Sequence, residues 1–195
     1  FTYLALVHTQ VINASLFNTA IPAIIILLCF IFKIEKTNKF QIFGLILASL
    51  GILSIITKLD LALLISLDFN KGDLIMIGGV VTWGLYSAFL KKKKFDLPLL
   101  TLVHVLCTFG LIFILPQFLY ELSQGQYIKF NINLGYTLIF LALFPSIGSY
   151  YCWAGAVSII GANRAGIFLS LIPLFSTIMA IAIFNEQFQF FHLIG

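Results

Sequence analysis

One ionisable side chain, His104, lies plainly inside a long apolar stretch of this 195-residue chain. An ionisable group in hydrocarbon is expensive, so His104 is a candidate for ligand binding. A neutral imidazole bonded to a neighbouring helix is the alternative. Other polar and aromatic residues in such stretches fall into sets. Trp83 and Tyr86 are three apart and share a helix face, and Tyr150 and Trp153 repeat the spacing with Ser146 a turn earlier. Asn18 and Thr19 stand one turn before Pro22, and Ser170 one turn before Pro173. Aromatic faces beside amides and hydroxyls suit a cavity for a small amphipathic or aromatic ligand. An aromatic belt at the membrane surface is the competing reading, and it fits Tyr86, near a lysine run, better than mid-span Trp83. Covalent or metal chemistry is not indicated. His8, His104 and His192 sit on separate segments without supporting acids, and Cys29, Cys107 and Cys152 lie in apolar runs without ligand spacing. No catalytic residue, metal or cofactor is expected, and the cysteines are read as small core residues.

The elements that carry these residues follow from composition. Hydrophobic residues make up 61% of the chain and charged residues 9%, against about 45–50% and about 25% in soluble domains. The apolar runs reach the roughly 20 residues that a bilayer-spanning helix needs. They are apolar all round, without the two-residue alternation of a membrane β-barrel. The expected fold is all-α, a polytopic transmembrane helix bundle. Complete spans are expected at Ala14–Phe32, Phe40–Ile56, Asp73–Leu90, Leu97–Leu119, Leu134–Ser158 and Ala165–Phe184, with partial spans at both ends. The fifth is expected to bend at Pro145, and Asp73 to favour the positive end of its helix. The chain starts without Met inside an apolar segment, and is read as a fragment truncated at both ends.

Loop charge gives the orientation. One set of alternate loops holds Lys33, Lys36, Lys39, Lys91, Lys92, Lys93, Lys94 and Arg164, eight basic residues; the other holds Lys58, Lys71 and Lys129, three, offset by Asp60, Asp68 and Glu121. The positive-inside rule places the first set in the cytoplasm. The lysine run is thus a topology anchor, and the net charge of +4 does not imply nucleic acid. In the full-length protein, Lys92→Cys should react with an impermeant thiol reagent only after cells are permeabilised. Gln126→Cys should react in intact cells, and the opposite pattern overturns the orientation.

The chain also repeats itself. Shifted by 151 residues without gaps, Pro22 falls on Pro173, Glu35 on Glu186 and Gly44 on Gly195, and Ala14, Phe17, Ile21 and Phe40 fall on their own kind. Five helices separate equivalent positions, so the copies should be inverted across the membrane. Pro22 and Pro173 each remove a backbone hydrogen bond at mid-membrane. They are read as kinks, with a hinge or a cavity-facing carbonyl as the functional alternative. Glu35 and Glu186 stand at helix–helix turns and are expected to cap the helix that follows each.

Proline in mid-helix, a Glu-containing turn and an early Gly in the next helix resemble the EamA repeat of the drug/metabolite transporter superfamily. The closer copy is Gly161-Ala-Asn-Arg-Ala-Gly through Pro173, Asn185-Glu186 and Gly195; Asn13-Ala-Ser through Pro22, Glu35 and Gly44 matches more loosely. Gly72-Asp-Leu through Trp83-Gly-Leu-Tyr86 resembles the opening helix of the second repeat. The resemblance implies ten helices in two inverted five-helix repeats, with this chain running from the end of the third to the start of the tenth. The first repeat's C-terminal part would occupy 1–57, a linker 58–71 and the incomplete second repeat 72–195. It implies no enzyme but a secondary transporter, an exporter or exchanger of small metabolites or drug-like solutes by alternating access. The setting would be the multi-pass cytoplasmic membrane of a bacterium. The partners would be a small-molecule substrate, the lipid bilayer and a second copy of the chain. A polytopic enzyme acting on lipid and a non-transporting scaffold are the competing classes.

Overall fold

The computed structural model describes residues 4–5, 7–9, 11–57, 60, 62, 70–92, 97–125, 127 and 130–184. Every regular element among them is helical: α1 (Val11–Thr19), α2 (Ile21–Ile31), α3 (Lys39–Thr57), α4 (Lys71–Lys92), α5 (Leu99–Ser123), α6 (Ile132–Leu141), α7 (Ser149–Ile160), α8 (Ala162–Phe168) and α9 (Ile172–Phe184). A π-helical turn, Ala142–Gly148, joins α6 to α7, and a 3₁₀ turn, Leu169–Leu171, joins α8 to α9. The stretches Lys71–Lys92, Leu99–Ser123, Ile132–Ile160 and Ala162–Ile183 are long and apolar enough to cross a membrane. The chain is therefore an all-α, polytopic membrane protein. Glu186 and most of the 58–71 linker lie outside the described residues.

The chain forms two compact units, Phe1–Lys92 with Ile160–Gly195, and Lys93–Ile159. These do not follow the sequence repeats, because the end of the second copy packs with the first. In the first unit α4 is the best-buried span. It opens on a reciprocal cap. Asn70 Oδ1 accepts the backbone N–H of Gly72 at 2.8 Å and of Asp73 at 3.2 Å, and Asp73 Oδ2 accepts the Asn70 N–H at 2.9 Å. Asp73 sits in the first turn, where its charge suits the helix dipole. It is 1% exposed, and its other oxygen takes the Thr9 hydroxyl, tying this end to the segment before α1. Halfway along, Gly84 lets α2 come close: a Cβ there would stand 2.7 Å from Ile24 Cγ2 and 2.9 Å from Leu28 Cδ1. At the C-terminal end the Phe32 and Phe89 rings meet at 5.1 Å.

That contact brings the ends of α2 and α4 together. The start of α8 joins them, since the Glu35 carboxylate bonds its first backbone N–H groups. One end of the unit therefore carries Lys33, Lys36, Lys39, Lys91, Lys92 and Arg164, while Asp60, Asn70, Lys71 and Asp73 mark the other. The charge asymmetry read along the chain becomes an asymmetry in space.

Both proline-bearing helices break at one register. α1 ends at Thr19 and α2 starts at Ile21, with Pro22 in the first turn. The 3₁₀ turn occupies Leu169–Leu171 and α9 starts at Ile172, followed by Pro173. A shift of 151 carries residues 18–20 onto 169–171 and Ile21 onto Ile172. The cause is local. Proline lacks the N–H that would bond the carbonyl four residues back, and its ring crowds that carbonyl. Restarting the helix just before the ring puts it in a first turn, where the missing donor costs little.

In the second unit Asn131 caps α6, its Oδ1 accepting the Leu134 N–H at 2.7 Å. The expected bend at Pro145 is met by the π-helical turn, which widens the helix around the ring. Pro116 lies inside α5 without ending it. α5 runs through Ser123 and the next helix starts at Ile132, so the loop expected over Glu121–Asn133 is shorter. Leu102, Val103, Ala154 and Val157 are buried, whereas Phe113 is 80% exposed. Apolar faces of that kind belong against lipid or further helices.

Candidate functional site

The two broken helices lie against each other and run in opposite directions. Glu35, beyond the end of α2, meets the start of α8. Further along, a Cβ on Gly166 would stand 3.2 Å from Ile25 Cδ1. Past that close contact the helices part around a cavity of about 500 Å³. Ser15, Asn18, Thr19 and Ile21 line it from α1 and α2. Leu169, Ile172, Pro173 and Ser176 line it from the second copy, with Ile52 and Ile56 of α3 and Trp83 of α4 completing the wall.

The lining shows why the breaks matter. Asn18 and Leu169 are the residues whose carbonyls lose their usual partner to Pro22 and Pro173, they are register mates, and both face the cavity. Leu169 recovers a tighter bond from the Ile172 N–H. The Thr19 hydroxyl is tied to the Leu16 carbonyl at 2.7 Å. Asn18 is exposed and lines the cavity. The wall combines an indole, aliphatic groups, three hydroxyls and an amide, and no ionisable side chain lines it among the described residues.

Of the residues singled out from the sequence, Asn18, Thr19, Trp83 and Pro173 line this cavity. Tyr86 stands beside Trp83, ring centroids 5.4 Å apart. Ser170 is half-buried in the 3₁₀ turn, and its neighbour Leu169 takes the place in the wall. Pro22 is fully buried, unlike its half-exposed mate Pro173. His104, Tyr150 and Trp153 belong to the second unit, where His104 is exposed and the other two are half-buried. No group of three His, Cys, Asp or Glu that could hold a metal occurs among the described residues.

Ser15 and Ser176 were not singled out beforehand. Ser15, Asn18 and Thr19 follow the i, i+3, i+4 spacing of one helix face, a signal legible in the chain. Glu35 departs from expectation. It does not cap the helix that follows it. Its Oε1 accepts the Ala162 N–H at 2.8 Å and its Oε2 the Asn163 N–H at 3.0 Å, across 127 and 128 residues of chain. α3 is served instead by Asn38 and Gln41: Asn38 Oδ1 accepts the Phe40 N–H at 3.3 Å, and Gln41 Oε1 accepts the Asn38 N–H at 2.9 Å. The donors at 162 and 163 are free to take a carboxylate because Gly161, at φ +88°, turns the chain directly into α8. The turn expected over Gly161–Arg164 thus shrinks to Gly161.

Known proteins are similar to this chain. The chain is 25% identical over 194 residues to the uncharacterized transporter YyaM of Bacillus subtilis (strain 168), covering 99% of this chain and 63% of that protein. It is 28% identical over 193 residues to the uncharacterized transporter YetK of the same organism, covering 96% and 57%. An uncharacterized transporter of Archaeoglobus fulgidus is 29% identical over 198 residues, covering 100% and 66%. The chain thus spans roughly three-fifths of the length of these relatives. No solved structure matches it. The sequence profile of the EamA-like transporter family matches residues 70–195. With a polytopic helical fold and a profile covering more than half of its length, the chain belongs to the EamA-like transporter family.

Proposed function

We propose that the full-length protein is a secondary transporter in the cytoplasmic membrane of a bacterium. It moves a small metabolite or drug-like solute, amphipathic or aromatic, by alternating access. The observation that carries this reading is the cavity of about 500 Å³ between inverted copies of one broken-helix segment. Its size suits a small metabolite. Its lining offers Trp83 for an apolar or aromatic face, and Ser15, Asn18, Thr19 and Ser176 for polar groups. Helices broken at mid-membrane free backbone polar groups where they line a cavity, the usual place for a transport site. Export or exchange is the direction we favour, and the full-length protein would work in the bilayer as a pair of copies. The names of its relatives support transport and leave the substrate open.

Ligand-dependent thermal stabilisation of the purified full-length protein, screened over a metabolite panel, would name the solute, because a bound ligand raises apparent stability by mass action. With that solute, Trp83→Ala should weaken binding about tenfold and slow uptake into proteoliposomes, with the unfolding midpoint of the ligand-free protein kept. A normal transport rate in Trp83→Ala would sink the proposed site.

A further inference from the structure

The contact that faces the cavity across the unit is closed, and its parts are asymmetric. At the lysine-bearing end Glu35 takes two backbone N–H groups of α8. Asn163 adds a bond from Nδ2 to the Thr37 hydroxyl at 3.4 Å, and Gly166 packs on Ile25. The repeat carries Gly166 onto Ser15 and Ile25 onto Ser176. The mate of the closed Ile25–Gly166 contact is therefore the Ser15–Ser176 pair, and both serines line the open cavity. Within a single structure the Ile25–Gly166 contact is packed, while its symmetry mates Ser15 and Ser176 line the cavity. The closed contact also holds an internal opposition. Asn163 is 1% exposed, and its Oδ1 has no hydrogen-bond partner among the described residues. A buried unpartnered amide oxygen favours any rearrangement that lets water reach it, while two bonds to a carboxylate hold the end shut.

We infer that Glu35 is the latch of the lysine-bearing end: its grip on Ala162 and Asn163 holds that end closed while the cavity between Ser15 and Ser176 is open, and its release lets the helices tilt to close the cavity and expose Asn163. Glu35 is a gating residue that acts through α8 and does not touch the solute. The inference rests on the transport reading for its purpose, but the thiol-reactivity arm of its test needs no solute.

The test uses the full-length protein in vesicles of stated orientation, with native cysteines replaced. The rate at which a Ser176→Cys thiol reacts with an impermeant maleimide added at the far side reports the open-cavity population. Glu35→Ala should lower that rate about tenfold, the equivalent of losing charge-assisted bonds. Glu35→Gln, which keeps one acceptor but no charge, should fall between the two. A Thr37→Cys/Asn163→Cys pair, oxidised, should keep Ser176→Cys fully reactive even in the Glu35→Ala background, and dithiothreitol should restore the drop. An unchanged rate in folded Glu35→Ala overturns the latch. If Glu35→Ala does not fold, an unchanged rate in Glu35→Gln does so. Solute transport that persists in the oxidised pair also overturns it. Reactivity that responds as described in a protein that transports no tested solute would keep the latch and count against the transport reading. Transport with unresponsive reactivity would do the reverse.

Discussion

Gly161→Ala should be among the most damaging single-methyl changes in this chain. Gly161 sits at φ +88° and ψ 161°, a region that side chains with a Cβ avoid; forcing alanine there costs about 1–3 kcal/mol. A Cβ would also stand 2.6 Å from Glu35 Oε1 and 3.1 Å from Oε2. The carboxylate must move, and its two bonds to Ala162 and Asn163 go with it, at about 1.5–3 kcal/mol for a bond to a charged group. The sum should exceed about 3 kcal/mol, since both terms are lost together. Gly125 provides the comparison. It too has positive φ, at +78°, but nothing lies within 4 Å of a Cβ built there. Gly125→Ala should therefore show only the backbone cost of about 1–2 kcal/mol. The check is the thermal unfolding midpoint of both variants in one detergent. Equal drops would show that Glu35 is not held against residue 161.

Gly84→Leu should prevent α2 and α4 from seating. The seam at Gly84 is already closed to a methyl group, with Ile24 Cγ2 and Leu28 Cδ1 both under 3 Å from the Cβ position. Leucine adds three more carbons to a position with no room for the first. Overpacking ordinarily costs about 1–3 kcal/mol and more where the backbone must shift. Here the shift would part the helices that carry Trp83 and Pro22, so the cavity wall opens as the seam does. The expected result is a loss of monodisperse protein on size-exclusion chromatography, with Gly84→Ala milder. Ile24→Ala should partly rescue Gly84→Ala, because the two residues share one space and their effects do not add. Absence of rescue would mean that the clash is not with Ile24.

Much of the architecture is legible because it depends on local properties. Long apolar runs specify membrane-spanning helices, and a proline specifies where a helix must restart. Pro22 and Pro173 therefore produce the same break at the same register, wherever their helices lie. The spacing of Ser15, Asn18 and Thr19 on one helix face is equally local. The choice of partner is not local. A carboxylate after α2 could serve any nearby helix start, and proximity along the chain pointed to α3. Only folding shows that α8, reversed and 127 residues away, presents the free N–H of Ala162 to Glu35. The same holds for Ser176, which gains meaning only because it lines the same cavity as Ser15. The reason lies in the solvent. In a soluble helix an apolar stripe points to the core, but lipid accepts apolar side chains as readily as a protein interior does. A helix that is apolar all round fixes its depth in the bilayer and leaves its facing to the close contacts that small residues permit, and at Gly84 and Gly166 those contacts belong to the tertiary structure.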